Sequence, residues 1–226
     1  MFLTLTILAA ISAGPFFTDY ADAYRDAERR QTLLLIDFGS SAEFDRTPEL
    51  REGWTVVRLP ADSPMLAEEP FQGLDVRGGL VVFDFRTPAK ALQFWLPGRY
   101  SSTADVQILL TLKAGTPTQR ALAWAVRRSG RPSADGHPAE DLLAHAERHS
   151  GVLAASGGLF HNLPGNASGE ICAMCFGDSI HEAAVNAVAG WSTSAGHNQL
   201  MSSSWNAFGY DMTRRGGYWY AVGVFR

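Results

Sequence analysis

The spacing of apolar positions changes several times along the chain. From Asp19 to Arg30, small and aromatic residues recur at helical intervals (Tyr20, Ala23, Tyr24, Ala27), and Thr18 is placed to cap the helix. Thr32 to Phe38 is a nearly continuous apolar run, too short for a helix, and reads as a buried strand. Trp54 to Leu59 and Leu80 to Phe85 repeat that pattern, and Gln93 to Leu96 reads as a fourth strand. Ser63 to Leu74 is expected to be partly helical, confined by Pro64 and Pro70. Strands separated by helical stretches predict an α/β layer with some parallel pairing.

A break follows. Lys113 to Thr118 is turn-rich, and Arg127 to Pro138 is poor in apolar residues and carries Gly and Pro. Between them, Gln119 to Arg128 reads as a helix with Leu122, Ala125 and Val126 facing inward. The pattern therefore divides into residues 14–112, a linker with a helix in it at 113–137, and a second domain at 138–226. That second domain opens with a helix from Glu140 to Ser156. Pro138 suits its first turn, and Leu142, Leu143, Ala146 and Leu153 form the buried stripe. A loop with Phe160 and His161 leads to Gly169-Glu-Ile, then a helix from Ser179 to Trp191 with a Ser-x-x-Glu capping box, in which Glu182 reaches back to the Ser179 N–H. Gly196 is expected to end that region just before His197. Two strand-like runs flank Gly216-Gly217 and read as a hairpin. Alternation places Tyr218, Tyr220, Val222 and Val224 on one face and Trp219, Ala221 and Phe225 on the other, as in a strand covered by helices on both sides.

Composition narrows the class. The chain has 226 residues, 46% of them hydrophobic, and a net charge of −4. That supports one large or two small cored domains. Acidic and basic residues are mixed and no basic run exists, which argues against nucleic acid as a partner. The longest apolar run is at the start, Met1 to Ala13, too short to span a bilayer comfortably. It suits a signal peptide cleaved near Ala13, and with it a secreted or extracytoplasmic location. The same run also suits a first buried strand.

Five pieces of the second half occur in a recognisable order. They are Ala146-Glu-Arg-His-Ser on a helix, Gly158-Leu-Phe-His-Asn, Gly169-Glu-Ile-Cys-Ala, Trp191-Ser-Thr-Ser-Ala-Gly-His, and a closing hairpin with Phe208-Gly-Tyr-Asp and Tyr218-Trp-Tyr. This succession resembles the CAP (SCP/pathogenesis-related) superfamily in its bacterial form. The resemblance implies an α-β-α sandwich with a cleft in which His161 and His197 match the two histidines and Glu170 the first acidic residue. Ser194 stands where the family has its second Glu. It also implies that His161 and His197 can take a divalent metal, with zinc the candidate ion and no resident cofactor assigned. Residues 14–112 more weakly resemble a thioredoxin-like fold, with Ser40, Ser41, Ala42 and Glu43 where its redox Cys-x-x-Cys would follow the strand. The usual cis-proline before the third strand is replaced by Gly78 and Gly79.

The expected fold class is thus α/β and α+β, a thioredoxin-like domain followed by a CAP-like sandwich. The resemblance implies a non-catalytic protein that binds a lipid, glycan or protein partner through the cleft of His161, Glu170, Ser194 and His197. The alternative is a metal-dependent hydrolase with a His161/His197-bound metal and Glu170 as base. Other candidates weigh less. His145 and His149 have i, i+4 spacing but lack the Glu directly after the first His, so they read as a surface His145 and a hydrogen-bonded His149 near the core. Cys172 and Cys175 form a lone Cys-x-x-Cys that continues an extended segment, which favours buried thiols or a local disulfide over redox chemistry.

Overall fold

The computed structural model describes residues 16–41, 54–112 and 115–226. The proposed signal peptide, residues 1–13, lies outside the described residues, as do Ala42 and Glu43.

The first half is built on a five-stranded mixed sheet. Its elements are β1 (Phe16–Phe17), α1 (Tyr20–Arg30), β2 (Leu33–Phe38), β3 (Trp54–Leu59), β4 (Leu80–Asp84) and β5 (Ala91–Leu96), in sheet order β1-β3-β2-β4-β5. The strands β1, β3 and β2 run parallel, β4 adds antiparallel to β2, and β5 antiparallel to β4, so β4 alone is reversed in the sheet. Asp19, one residue after the expected cap, caps α1 by accepting the Asp22 N–H. Pro64–Ala67 makes only a short 3-10 turn. The β2 run is apolar throughout because both of its faces are covered. Leu34, Ile36 and Phe38 pack with Ala23 and Ala27 of α1 and with Phe71, while Leu35 turns to the opposite side.

That opposite side is a helical layer. It holds α2 (Thr103–Thr111), α3 (Pro117–Arg128) and α5 (Ile180–Thr193). Helix α3 starts with a complete capping box between Thr116 and Gln119. The helix expected within the 113–137 linker is therefore a core element: residues Gln119 to Val126 are all buried. Trp124 is fully buried there.

The second sheet has four strands, ordered β6-β8-β9-β7. They are β6 (His137–Pro138), β7 (Gly169–Cys175), β8 (Ala207–Arg215) and β9 (Tyr218–Phe225). Trp219, Ala221 and Phe225 face the shared helical layer, and Tyr220, Val222 and Val224 face α4 (Glu140–Ser156) on the outside, as alternation requires. Gly209 lets α4 lie directly on β8: a Cβ there would stand 2.2 Å from the Leu142 carbonyl carbon. Among the described residues the protein is mixed α/β, with two sheets and six α-helices and the second sheet sandwiched between helices. Each fully buried Leu, Ile or Phe in these layers contributes roughly 2 kcal/mol of transfer free energy. Among the described residues no helix is long and apolar enough to cross a membrane.

The second half departs from expectation at Gly196. That residue does not end a region but lies inside a further short helix, α6 (Ala195–Met201). Ser194 closes α5 and opens α6, so His197 stands on a helix.

Candidate functional site

The site forms where α4, the following loop, β7 and α6 meet. On α4, His145 and His149 share the stripe of Leu142, Ala146 and Leu153, so both rings face inward. Gly157, with φ at 71°, ends α4 in the left-handed conformation and releases the chain into the 158–168 loop. On β7, period-two alternation turns Glu170 and Cys172 toward α4 and Ile171 and Cys175 toward α5.

Glu170 is the hub. Its Oε2 accepts the Asn162 backbone N–H at 2.8 Å and the His161 Nδ1–H at 3.0 Å. Those two bonds tie the loop to the sheet edge. They also require that His161 Nδ1 carry a proton, because a carboxylate oxygen can only accept. The His149 Nε2–H donates to the Phe160 carbonyl at 3.0 Å, and the two rings meet edge to face at 5.3 Å. The other carboxylate oxygen, Oε1, lies 3.5 Å from His145 Nε2 and 3.6 Å from His149 Nε2, without a hydrogen bond.

The structure brings together the expected trio. The His161 ring stands 6.1 Å from the His197 ring, centroid to centroid, with Glu170 beneath His161. The His161 side chain is 59% exposed, whereas that of Glu170 is only 2% exposed. Burial, and then the neighbouring His161, hold the His197 imidazole below its ordinary value, so it is neutral at pH 7. Ser194 stands at the N-cap of α6 but its side chain makes no capping bond. As a metal centre the trio is incomplete: it offers two imidazoles, Glu170 Oε2 is engaged by two N–H donors, and Ser194 supplies no carboxylate.

His145 departs from its surface reading, being only 9% exposed. The missed signal was its place on the apolar stripe of α4, which put an i, i+4 histidine pair against the sheet. The two cysteines are free buried thiols. Three residues apart on a strand, they point to opposite faces and cannot pair. Burial, with the Glu170 charge second, pushes the Cys172 thiol far up, and burial alone pushes Cys175 up to about 11. Neither is a thiolate ready for exchange chemistry. Glu182 bonds the Asp178 N–H rather than that of Ser179, so the expected capping box is displaced by one residue on its carboxylate arm.

Among the described residues, one set of three metal-capable donors lies within 4.8 Å of one another: His149, Glu170 and Cys172. No family model, no curated protein and no solved structure matches the chain.

Proposed function

We propose that this chain is an extracytoplasmic CAP-domain protein that binds a ligand, without transforming it, in the cleft of His161, Glu170, Ser194 and His197. One observation carries the reading. A buried carboxylate holds His161 by its Nδ1–H, opposite a neutral His197, on a loop pinned at two points. A fixed imidazole pair of this kind offers hydrogen bonds to a hydroxyl or amide. Leu159, Phe160 and Leu163 on the same loop are 49%, 45% and 48% exposed, an apolar rim beside the imidazoles. That pairing favours an amphipathic ligand, and so a lipid ahead of a glycan or a protein. The five motifs in order support the family reading. For the first half, α1 leading into β2 supports the thioredoxin-like reading. Ser40 and Ser41 after β2 serve structure there, bonding Asp37 and the Ser101 carbonyl.

The test is a lipid and glycan binding screen on wild-type protein and on His161→Ala/His197→Ala. The expected outcome is binding of a lipid that the double variant loses. A ligand bound equally well by both proteins would place the binding surface elsewhere.

A further inference from the structure

The Glu170 carboxylate has a second side that the cleft does not use. Its Oε1 faces α4, is buried, and has no hydrogen-bond partner. Leaving a charged oxygen desolvated and unpaired is costly, so such an atom calls for a cation or a donor. His145 Nε2, likewise buried and unpartnered, stands 3.5 Å away, and His149 Nε2 stands 3.6 Å away. These separations are too long for good hydrogen bonds. They match the spacing of neighbouring ligands around a tetrahedral ion, about 3.4 Å for N and O donors. His149, Glu170 and Cys172 place their donors within 4.8 Å of one another, and His145 flanks that set through its approach to Oε1.

We propose that His145, His149, Glu170 Oε1 and Cys172 form a buried site for a divalent metal of the zinc class, behind the cleft and separate from the His161/His197 pair. The geometry is that of a helix supplying two imidazoles one turn apart, completed by a carboxylate and a thiolate from one face of a strand. Imidazole, carboxylate and thiolate together suit zinc better than magnesium or calcium, which prefer oxygen alone. On binding, the Cys172 thiol proton leaves to solvent. His149 moves its remaining proton from Nε2 to Nδ1, which has no other partner, and exchanges its bond to the Phe160 carbonyl for the metal. The ion would neutralise the orphan oxygen and lock α4, β7 and the 158–168 loop at one point. The site does not depend on what the cleft binds.

The test is titration of metal-free full-length protein with zinc against a chromophoric chelator, and with cobalt followed by absorbance. The expected result is one equivalent per chain. The cobalt form should show intense tetrahedral visible bands and a near-ultraviolet thiolate band that Cys172→Ser removes. His145→Ala should weaken zinc binding by about 100-fold or more, since even outer-shell partners of a metal are worth 10- to 100-fold. His197→Ala, which leaves the His161–Glu170 bond in place, should bind zinc as wild type does. Should His145→Ala fail to fold, the cobalt spectrum of Cys172→Ser decides. Uptake below about 0.1 equivalent by wild-type protein overturns the site. So does zinc binding that survives His145→Ala in a folded protein, that is lost in His197→Ala, or whose near-ultraviolet band persists in Cys172→Ser.

Discussion

Asp211 shows how a single side chain is decided by neighbours far away in sequence. It lies on β8, buried, and accepts hydrogen bonds from Thr118 Oγ1 at 2.7 Å and Ser150 Oγ at 2.8 Å. Thr118 is 93 positions away along the chain, and nothing in the aromatic pattern of β8 marked Asp211 as the meeting point of α3, α4 and the sheet. Burial pushes its carboxyl above the ordinary value, against the pull of the two hydroxyls and the Met212 N–H, with Glu147 adding a smaller upward push. A folded-state carboxyl that holds its proton more tightly than the unfolded chain gives stability at low pH. That stability is lost as pH rises from about 3.9 through the folded value. Asp211→Asn should remove this part of the pH dependence, leaving a flatter urea-unfolding free energy across that window. An unchanged slope would show that Asp211 is not its source. Glu170 was legible for a different reason. Its Gly-Glu motif stood in an ordered series of motifs, whereas its two inner histidines could be placed only once the stripe of α4 was docked on the sheet.

The helix α4 and the closing hairpin were readable from pattern alone, because each is long enough to show its period and has one well-defined core face or two loaded ones. Short elements were not. Seven-residue α6 holds a glycine and lacks a side-chain cap, and β1 and β6 are two residues each. Contact between α4 and β8 sets the rigidity of the platform that carries His145 and His149. Gly209→Ala would drive a methyl group into the Leu142 backbone, 2.2 Å away, and neither element can give without moving the whole layer. The expected loss is about 3 kcal/mol, read as a lower urea midpoint at unchanged m-value. Gly151→Ala, in the same helix but with no atom within 4 Å of the new methyl group, is the control. It should stabilise by up to about 1 kcal/mol through helix propensity. Equal effects of the two substitutions would contradict the close-packed layer.

Across the whole molecule, the two sheets are joined by a shared helical layer, and His181 is buried at their junction. Its ring lies 5.6 Å from both Trp95 of β5 and Trp124 of α3, and 6.4 Å from Tyr100. Burial pushes the imidazole down to about 3, with the Trp95 backbone opposing and Arg99 assisting. It therefore stays neutral where the unfolded chain would charge. A base depressed in the folded state contributes stability that is present above about pH 6.5 and is lost as pH falls from there toward about 3. His181→Phe should flatten acid unfolding by one proton's worth, about 1.4 kcal/mol per pH unit within that interval. Parallel acid-unfolding curves for variant and wild type would exclude His181 as the acid-sensitive joint. The same packing explains why the 113–137 segment, poor in long-range signal, read as a linker: α3 is buried by two sheets that are themselves distant in sequence.

The family resemblance alone implied that His161, Glu170 and His197 would be neighbours, whereas local periodicity was enough to determine a mixed α/β chain, its main helices and strands, and the two faces of the last strand. These follow from short-range rules, since strand and helix periods are written in adjacent residues. Only the tertiary structure decided that α3 is core and that His145 and His149 converge on the far oxygen of Glu170. Those outcomes depend on how separate elements dock, and docking is set by shape and burial summed over many residues that no local pattern records.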